Sequence, residues 1–186
     1  RFPLDKVSKN GAVSISRIDY DKHIEMIVEA NKKIVPPIDI YGFKNDLYVY
    51  RVLSHTEFPL YYKGKFNKNF SSLMNILKNK KFVVDMSIIK NDGGGSQYTF
   101  LEAIHCGCIL VLNKKWITPQ SVFKHKENCL VVDNIAELSN AITNQDHTTI
   151  LENSKELLKT HIMADWTKLN IWKSKWLGSR EYIVCS

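Results

Sequence analysis

The stretch from residue 82 to residue 112 constrains this chain more than any other. Residues 82–89, Phe-Val-Val-Asp-Met-Ser-Ile-Ile, are an apolar run of strand length, suited to burial on both faces. Three glycines follow, Gly93, Gly94 and Gly95, and then Ser96, Gln97, Tyr98 and Thr99 lead into a helical run through Glu102 to His105. A second apolar run, 109–112, closes the unit. Glycines accept positive φ and let backbone approach a ligand closely. A helix that starts beside them offers free N–H groups and the positive end of its dipole. Such a corner suits an anion, most often a phosphate. An ordinary strand-to-helix turn carrying a solvated Glu102 accounts for the same residues, and the local pattern alone leaves both readings open.

The rest of the chain repeats the alternation. Residues 12–16 alternate in the strand period up to Arg17, and Tyr20, Ile24, Ile27 and Val28 share one helical face. Pro36-Pro37 breaks that helix, and 38–42 reads as a second strand. A helix over 45–53, a third strand over 58–64 and a helix over 70–77 precede the central unit. A strand at 129–132 and helices over 135–142 and 150–158 follow it. Strands alternating with helices predict an α/β fold, a Rossmann-like parallel sheet flanked by helices. Ligands of such sheets bind beyond the carboxyl ends of the strands, where both Arg17 and the glycines fall.

At 186 residues the chain is one domain's worth. We divide it into a polar linker (1–11), a Rossmann-like domain (12–160) and a C-terminal helix with its tail (161–186). Trp166, Leu169, Trp172 and Trp176 fall near one face of that last helix. No run is long and apolar enough to span a membrane. The abrupt start at Arg1 reads as a cut from a longer chain. Cys106, Cys108, Cys129 and Cys185 form no C-x-x-C pair, which fits free thiols in a reducing, cytoplasmic compartment, the host's if the protein is viral. His105, Cys106 and Cys108 are too close in sequence to converge on zinc, so no metal is expected. The net charge of +7 is concentrated in 61–81, which holds Lys63, Lys65, Lys68, Lys78, Lys80 and Lys81 and no acid. Such a stretch attracts phosphate-rich partners, nucleotides and nucleic acid alike, although a solvated lysine surface is the commoner meaning.

The run Tyr98-Thr99-Phe100-Leu101-Glu102-Ala103-x-x-Cys106-Gly107 resembles the signature of retaining glycosyltransferases of the two-Rossmann GT-B architecture. The resemblance implies that this chain is the C-terminal, donor-binding half, with a nucleotide-sugar, a UDP-sugar, as donor substrate and no further cofactor. It also implies that an N-terminal Rossmann domain is missing, so that the chain is a fragment or split subunit, inactive alone. Arg17 and Lys22, five positions apart after the first strand, match the family's pair of cations for the donor diphosphate. His23 stands where the family usually has glycine, which puts the turn there in question. Glu102 matches the carboxylate that holds the ribose hydroxyls, whereas Gly94 stands where a first Glu is expected. The Gly93–Ser96 loop would cradle phosphate and sugar, with Gln97, Tyr98 and Thr99 beside it. The Tyr-Thr-x-Leu-Glu order also resembles the phage α-glucosyltransferases that act on hydroxymethylcytosine, which implies modified DNA as the acceptor and glucose as the sugar. The competing reading is a non-catalytic, flavodoxin-like module that binds a nucleotide or phosphoprotein in the same crevice.

Overall fold

The computed structural model describes residues 9–65, 70–88, 98–119, 121–143 and 147–164. The glycine loop, Lys68 and the tryptophans of the tail lie outside the described residues. The chain runs β1 (Ala12–Ile15), a 3₁₀ turn (Tyr20–Lys22), α1 (Ile24–Asn31), β2 (Asp39–Tyr41) and α2 (Asp46–Tyr48), which continues as a π turn (Val49–Leu53). Next come α3 (Phe58–Tyr61), β3 (Tyr62–Gly64), α4 (Phe70–Leu77), β4 (Phe82–Asp85), α5 (Tyr98–His105) and β5 (Ile109–Asn113). A 3₁₀ turn (Lys114–Trp116), β6 (Leu130–Val132), α6 (Ile135–Thr143) and α7 (Thr148–Ala164) complete the order.

All strand pairs are parallel, and the sheet order is β3-β2-β1-β4-β5-β6. The period-2 alternation of the central strands sorts their side chains into two cores. Phe82, Val84, Ile109 and Val111 face a layer that contains α1 and α6. Val83, Leu110 and Leu112 face the other layer, with Leu73 and Leu77 of α4 and Phe100, Ala103 and Ile104 of α5. Burial on both sides is why these strands read as continuous apolar runs.

Two elements differ from the sequence expectation. The strand expected over 58–64 is helical for its first half, because Pro59 lies in the opening turn of α3, where a missing N–H costs nothing. The strand expected over 82–89 ends at Asp85, whose carboxylate accepts the Ser87 N–H at 2.7 Å and turns the chain away. Of the expected linker, residues 9–11 are fastened down. The Lys9 ammonium donates to the Leu77 and Lys80 carbonyls at 3.2 Å each, neutralising the carboxyl end of α4. The Gly11 carbonyl accepts from the Lys81 and Phe82 N–H groups.

One glycine fixes the spacing of β1 and β2 at their carboxyl ends. A Cβ on Gly42 would lie 1.7 Å from the Ser16 carbonyl oxygen, a backbone atom that cannot swing aside. Gly42→Ala should therefore lower the unfolding free energy by about 3 kcal/mol, the upper part of the overpacking range. Denaturant unfolding checks this, and a loss under about 1 kcal/mol would show that the two strand ends separate easily.

Candidate functional site

β1 and β4 are neighbours, yet the chain leaves them in opposite directions. After β1 it enters α1 on one face, and after β4 it enters α5 on the other. The order 3-2-1-4-5-6 reverses between these two strands, and the carboxyl rim at such a reversal is where sheets of this kind bind ligands.

Two strand-exit loops meet at this rim. Ile88 N–H donates to the Asp21 carbonyl at 3.0 Å, tying the β4 exit to the β1 exit. Lys22 Nζ crosses the same gap to donate to Ser87 Oγ at 2.9 Å, and its side chain is only 18% exposed. Arg17, by contrast, is 66% exposed and lies 3.4 Å from both Asp19 Oδ2 and Asp21 Oδ2. The Asp21 carboxylate also contacts Lys22 Nζ at 3.2 Å, so it bridges the two cations. Asp19 is held in turn: it caps the 3₁₀ turn through the Tyr20 N–H and accepts from Asn45 Nδ2 at 2.9 Å. Arg17 and Lys22 are thus brought together, with one carboxylate between them.

His23, at the position where glycine is usual in the resembling family, takes φ 46 and ψ 46, the left-handed conformation that glycine would supply. The turn is kept with an imidazole added. Its Nδ1 lies 2.9 Å from Glu25 Oε1, and Tyr48 Oη donates to Glu25 Oε2. Burial, reinforced by that carboxylate, pushes the Tyr48 hydroxyl to a higher pKa.

Glu102 sits half-buried on α5, with Ala103 and Ile104 of the same helix in the core. Burial raises the pKa of its carboxyl. The hydrogen bonds and ion pairs among the described residues do not engage its side chain. The N-terminal part of α5 is positioned by an aromatic triad in which Phe100 meets Trp116 at 5.3 Å and Phe123 at 5.7 Å. The carboxyl end of α5 is stopped by Gly107 at φ 73: Gly107 N–H bonds to the Ile104 carbonyl and Cys108 N–H to the Ala103 carbonyl. This is a Schellman stop, so the Cys106-Gly107 pair of the motif is architectural. Cys106 is buried and its thiol is pushed up to about 12, largely by burial, which makes it unreactive. Thr99 is partly exposed in the first turn of α5, and the backbone of Tyr98 opens that helix. Gly93, Gly94, Gly95, Ser96 and Gln97 lie outside the described residues. Among the described residues, no group of three His, Cys, Asp or Glu side chains is placed to hold a metal ion, and no helix is long and apolar enough to cross a membrane.

The basic stretch divides. Lys63 and Lys80 share Asp39 at 3.6 and 2.6 Å, and Lys65 lies over the Phe43 ring at 4.1 Å. Sequence reasoning missed Ser87 and the Glu25–Tyr48 pair. Ser87 had a signal, a hydroxyl just past an apolar strand, where ligand-binding residues of such sheets fall.

No protein-family model matches the chain, and no curated protein sequence matches it. Solved structures do match in fold. The Anabaena HepE structure in complex with UDP superposes with a TM-score of 0.68 at 18% identity, covering 90% of this chain and 49% of that one. The C-terminal domain of the group 1 glycosyl transferase LpcC from Francisella tularensis gives 0.61 at 18% identity, covering 83% and 87%. The pneumococcal O-GlcNAc transferase GtfA, in complex with UDP and GlcNAc, gives 0.61 at 17% identity, covering 88% and 37%. The chain thus spans about half the length of HepE and most of the LpcC domain. Its fold is a Rossmann-like α/β domain, similar to the C-terminal domain of LpcC.

Burial opposes the charged form of the Glu102 carboxyl, for which no partner is found among the described residues. The folded-state pKa of Glu102 is raised, so the proton is held more tightly in the folded state and stability falls as pH rises through that value. Glu102→Gln should therefore raise Tm at pH 7–8 and leave it unchanged below the ordinary carboxyl range. Thermal melts at the two pH values check this. An equal or lower Tm for the variant at pH 7–8 would mean that Glu102 is stabilised by a partner.

Proposed function

We propose that this chain is the donor-binding half of a retaining, nucleotide-sugar-dependent glycosyltransferase with a UDP-sugar as donor. The observation that carries this reading is the meeting of Arg17 and Lys22 at the β1/β4 rim, with Lys22 anchored across it on Ser87. The fold shared with HepE in complex with UDP and with GtfA in complex with UDP and GlcNAc supports the choice of donor. The retaining mode rests on the resemblance of the 98–107 run.

The chemistry needs cations at this place. As the glycosidic bond breaks, negative charge builds on the departing diphosphate, and fixed positive groups stabilise that state more than the ground state. Arg17 is exposed, and surface pairs such as those it makes with Asp19 and Asp21 are worth only about 0–1 kcal/mol. A diphosphate can therefore take Arg17 over from Asp21 at little cost. Glu102 would accept hydrogen bonds from the ribose hydroxyls, which would relieve its burial without a partner. The acceptor and the rest of its site belong, in this reading, to a second Rossmann domain, without which the chain does not turn over. Modified DNA as acceptor has the Tyr98-to-Glu102 order in its favour. The lysines draw less weight toward it, since Lys63 and Lys80 are occupied by Asp39.

Titration calorimetry with UDP-glucose tests the assignment. Loss of a charge-assisted phosphate contact is worth about 1.5–3 kcal/mol, so Arg17→Ala and Lys22→Ala should each weaken binding at least about tenfold. Equal affinity in the wild type and the double variant would remove the pair from the site. Glu102→Gln should weaken binding of UDP more than that of its 2′-deoxy counterpart. Equal losses would show that Glu102 acts through charge or packing and not through the ribose.

A further inference from the structure

We propose that the outer face of the helix formed by α2 and its π turn pairs, antiparallel, with the same face of a second copy of this chain; the inference is independent of the nucleotide-sugar reading. The inner face of this helix belongs to the core. Tyr48 and Leu53 are buried there, and Val49 and Val52 pack against it. A surface helix with one side in the core should be polar on the other. This one is not. Leu47 is 51% exposed and Tyr50 75%, three positions apart and so on one side of the helix. Phe43, 64% exposed, lies four positions before Leu47 and extends the row, with Lys65 over its ring. Apolar side chains exposed singly need no partner, whereas a contiguous row marks a contact surface.

The charges at the two ends of the row say what covers it. Asp46 comes just before Leu47 and Arg51 just after Tyr50. Both are exposed, and neither side chain has an ion pair or hydrogen bond among the described residues. The exposed face thus reads acid, Leu, Tyr, base, and reversed it is its own complement. A two-fold axis through its middle, between Tyr48 and Val49, sets Asp46 opposite Arg51 of the second copy and Leu47 opposite Tyr50 of the second copy. Each of these contacts is then made twice. A uniformly acidic or basic partner would match one end of the row and repel the other. Tyr and Arg are also the residue types that carry most binding energy at protein interfaces.

The face adjoins the loop that carries Arg17. Asn45 caps the helix by accepting from the Leu47 and Tyr48 N–H groups, and its Nδ2 donates to Asp19 at 2.9 Å. Pairing through this helix would therefore hold the two Arg17 loops, one from each copy, beside the interface.

Analytical ultracentrifugation of the chain over a wide concentration range tests this. The wild type should pass from monomer to dimer as concentration rises. Asp46→Lys and Arg51→Glu each turn both cross-pairs from attraction to repulsion, and each should weaken the dimer at least about tenfold. Mixed in equal amounts, these two variants should associate again, because the cations of one then face the carboxylates of the other. Tyr50→Ser should weaken the dimer too. It changes no charge at a helix end, so it stands in for either charge variant that melts below the wild type. A wild type that stays monomeric throughout overturns the inference, whatever else covers the row. A dimer that survives all three substitutions overturns it as well, as do well-folded charge variants that stay apart when mixed.

Discussion

The pairing of β1 with β4 is the contact on which the rest of the molecule depends. Ala12 and Val13 lie against Phe82 and Val83 in parallel register, on strands separated in sequence by three crossovers. Once they are paired, right-handed crossovers send α1 to one face and α5 to the other. The sheet then grows outward both ways, and each face acquires its own core. The divergence of the two helices makes the central rim the point of this topology where ligands of such sheets bind. Hydrogen bonds from Ile88 to Asp21 and from Lys22 to Ser87 tie the two strand exits together there.

Much of this was legible in the sequence. The apolar runs at 82–89 and 109–112 announced strands buried on both faces, because no solvent face breaks their periodicity, although the first strand ends at Asp85. Arg17 and Lys22 were legible as a pair because their spacing carries them across a single turn. What was hidden depends on tertiary contacts. Ser87 becomes a partner of Lys22 only when β1 and β4 are adjacent, a contact 65 residues apart in the chain. Glu25 meets Tyr48 for a similar reason, across the β2 crossover. The lysines of 61–81 looked like one basic surface because sequence does not show that Asp39, well upstream, pairs with two of them. The helical first half of 58–64 was missed because Phe-Pro-Leu-Tyr is apolar and short, where periodicity cannot separate strand from helix.

The motif that suggested the family divides, in the structure, between architecture and chemistry. Phe100 locks the helix to Trp116 and Phe123, Ala103 lies fully buried, and Cys106-Gly107 stops the helix. Four positions of the run are thus explained by packing and capping alone. Glu102 is the exception. It is half-buried and without a described partner, and a fold that needed only a helix there would be more stable with a neutral side chain. A group kept at a cost to folding is the usual mark of a functional position.

The same logic applies to the charges at the β1 exit. Arg17 and Lys22 could have been left bare, yet Asp19 and Asp21 sit among them, so the loop carries no net charge before a ligand arrives. Two cations held close together without a counterion would repel, and the long Arg17 side chain would lose its orientation. Asp19 is itself fixed by Asn45 and the Tyr20 N–H, which passes rigidity on to Arg17. Among the described residues the Asp21 carboxylate has no such anchor beyond the cations it bridges, so it is the carboxylate that an incoming anion can replace. Order is thereby built before binding, and the bridging position stays exchangeable. The charge that the loop shows to an anion is then set by how far Asp21 yields.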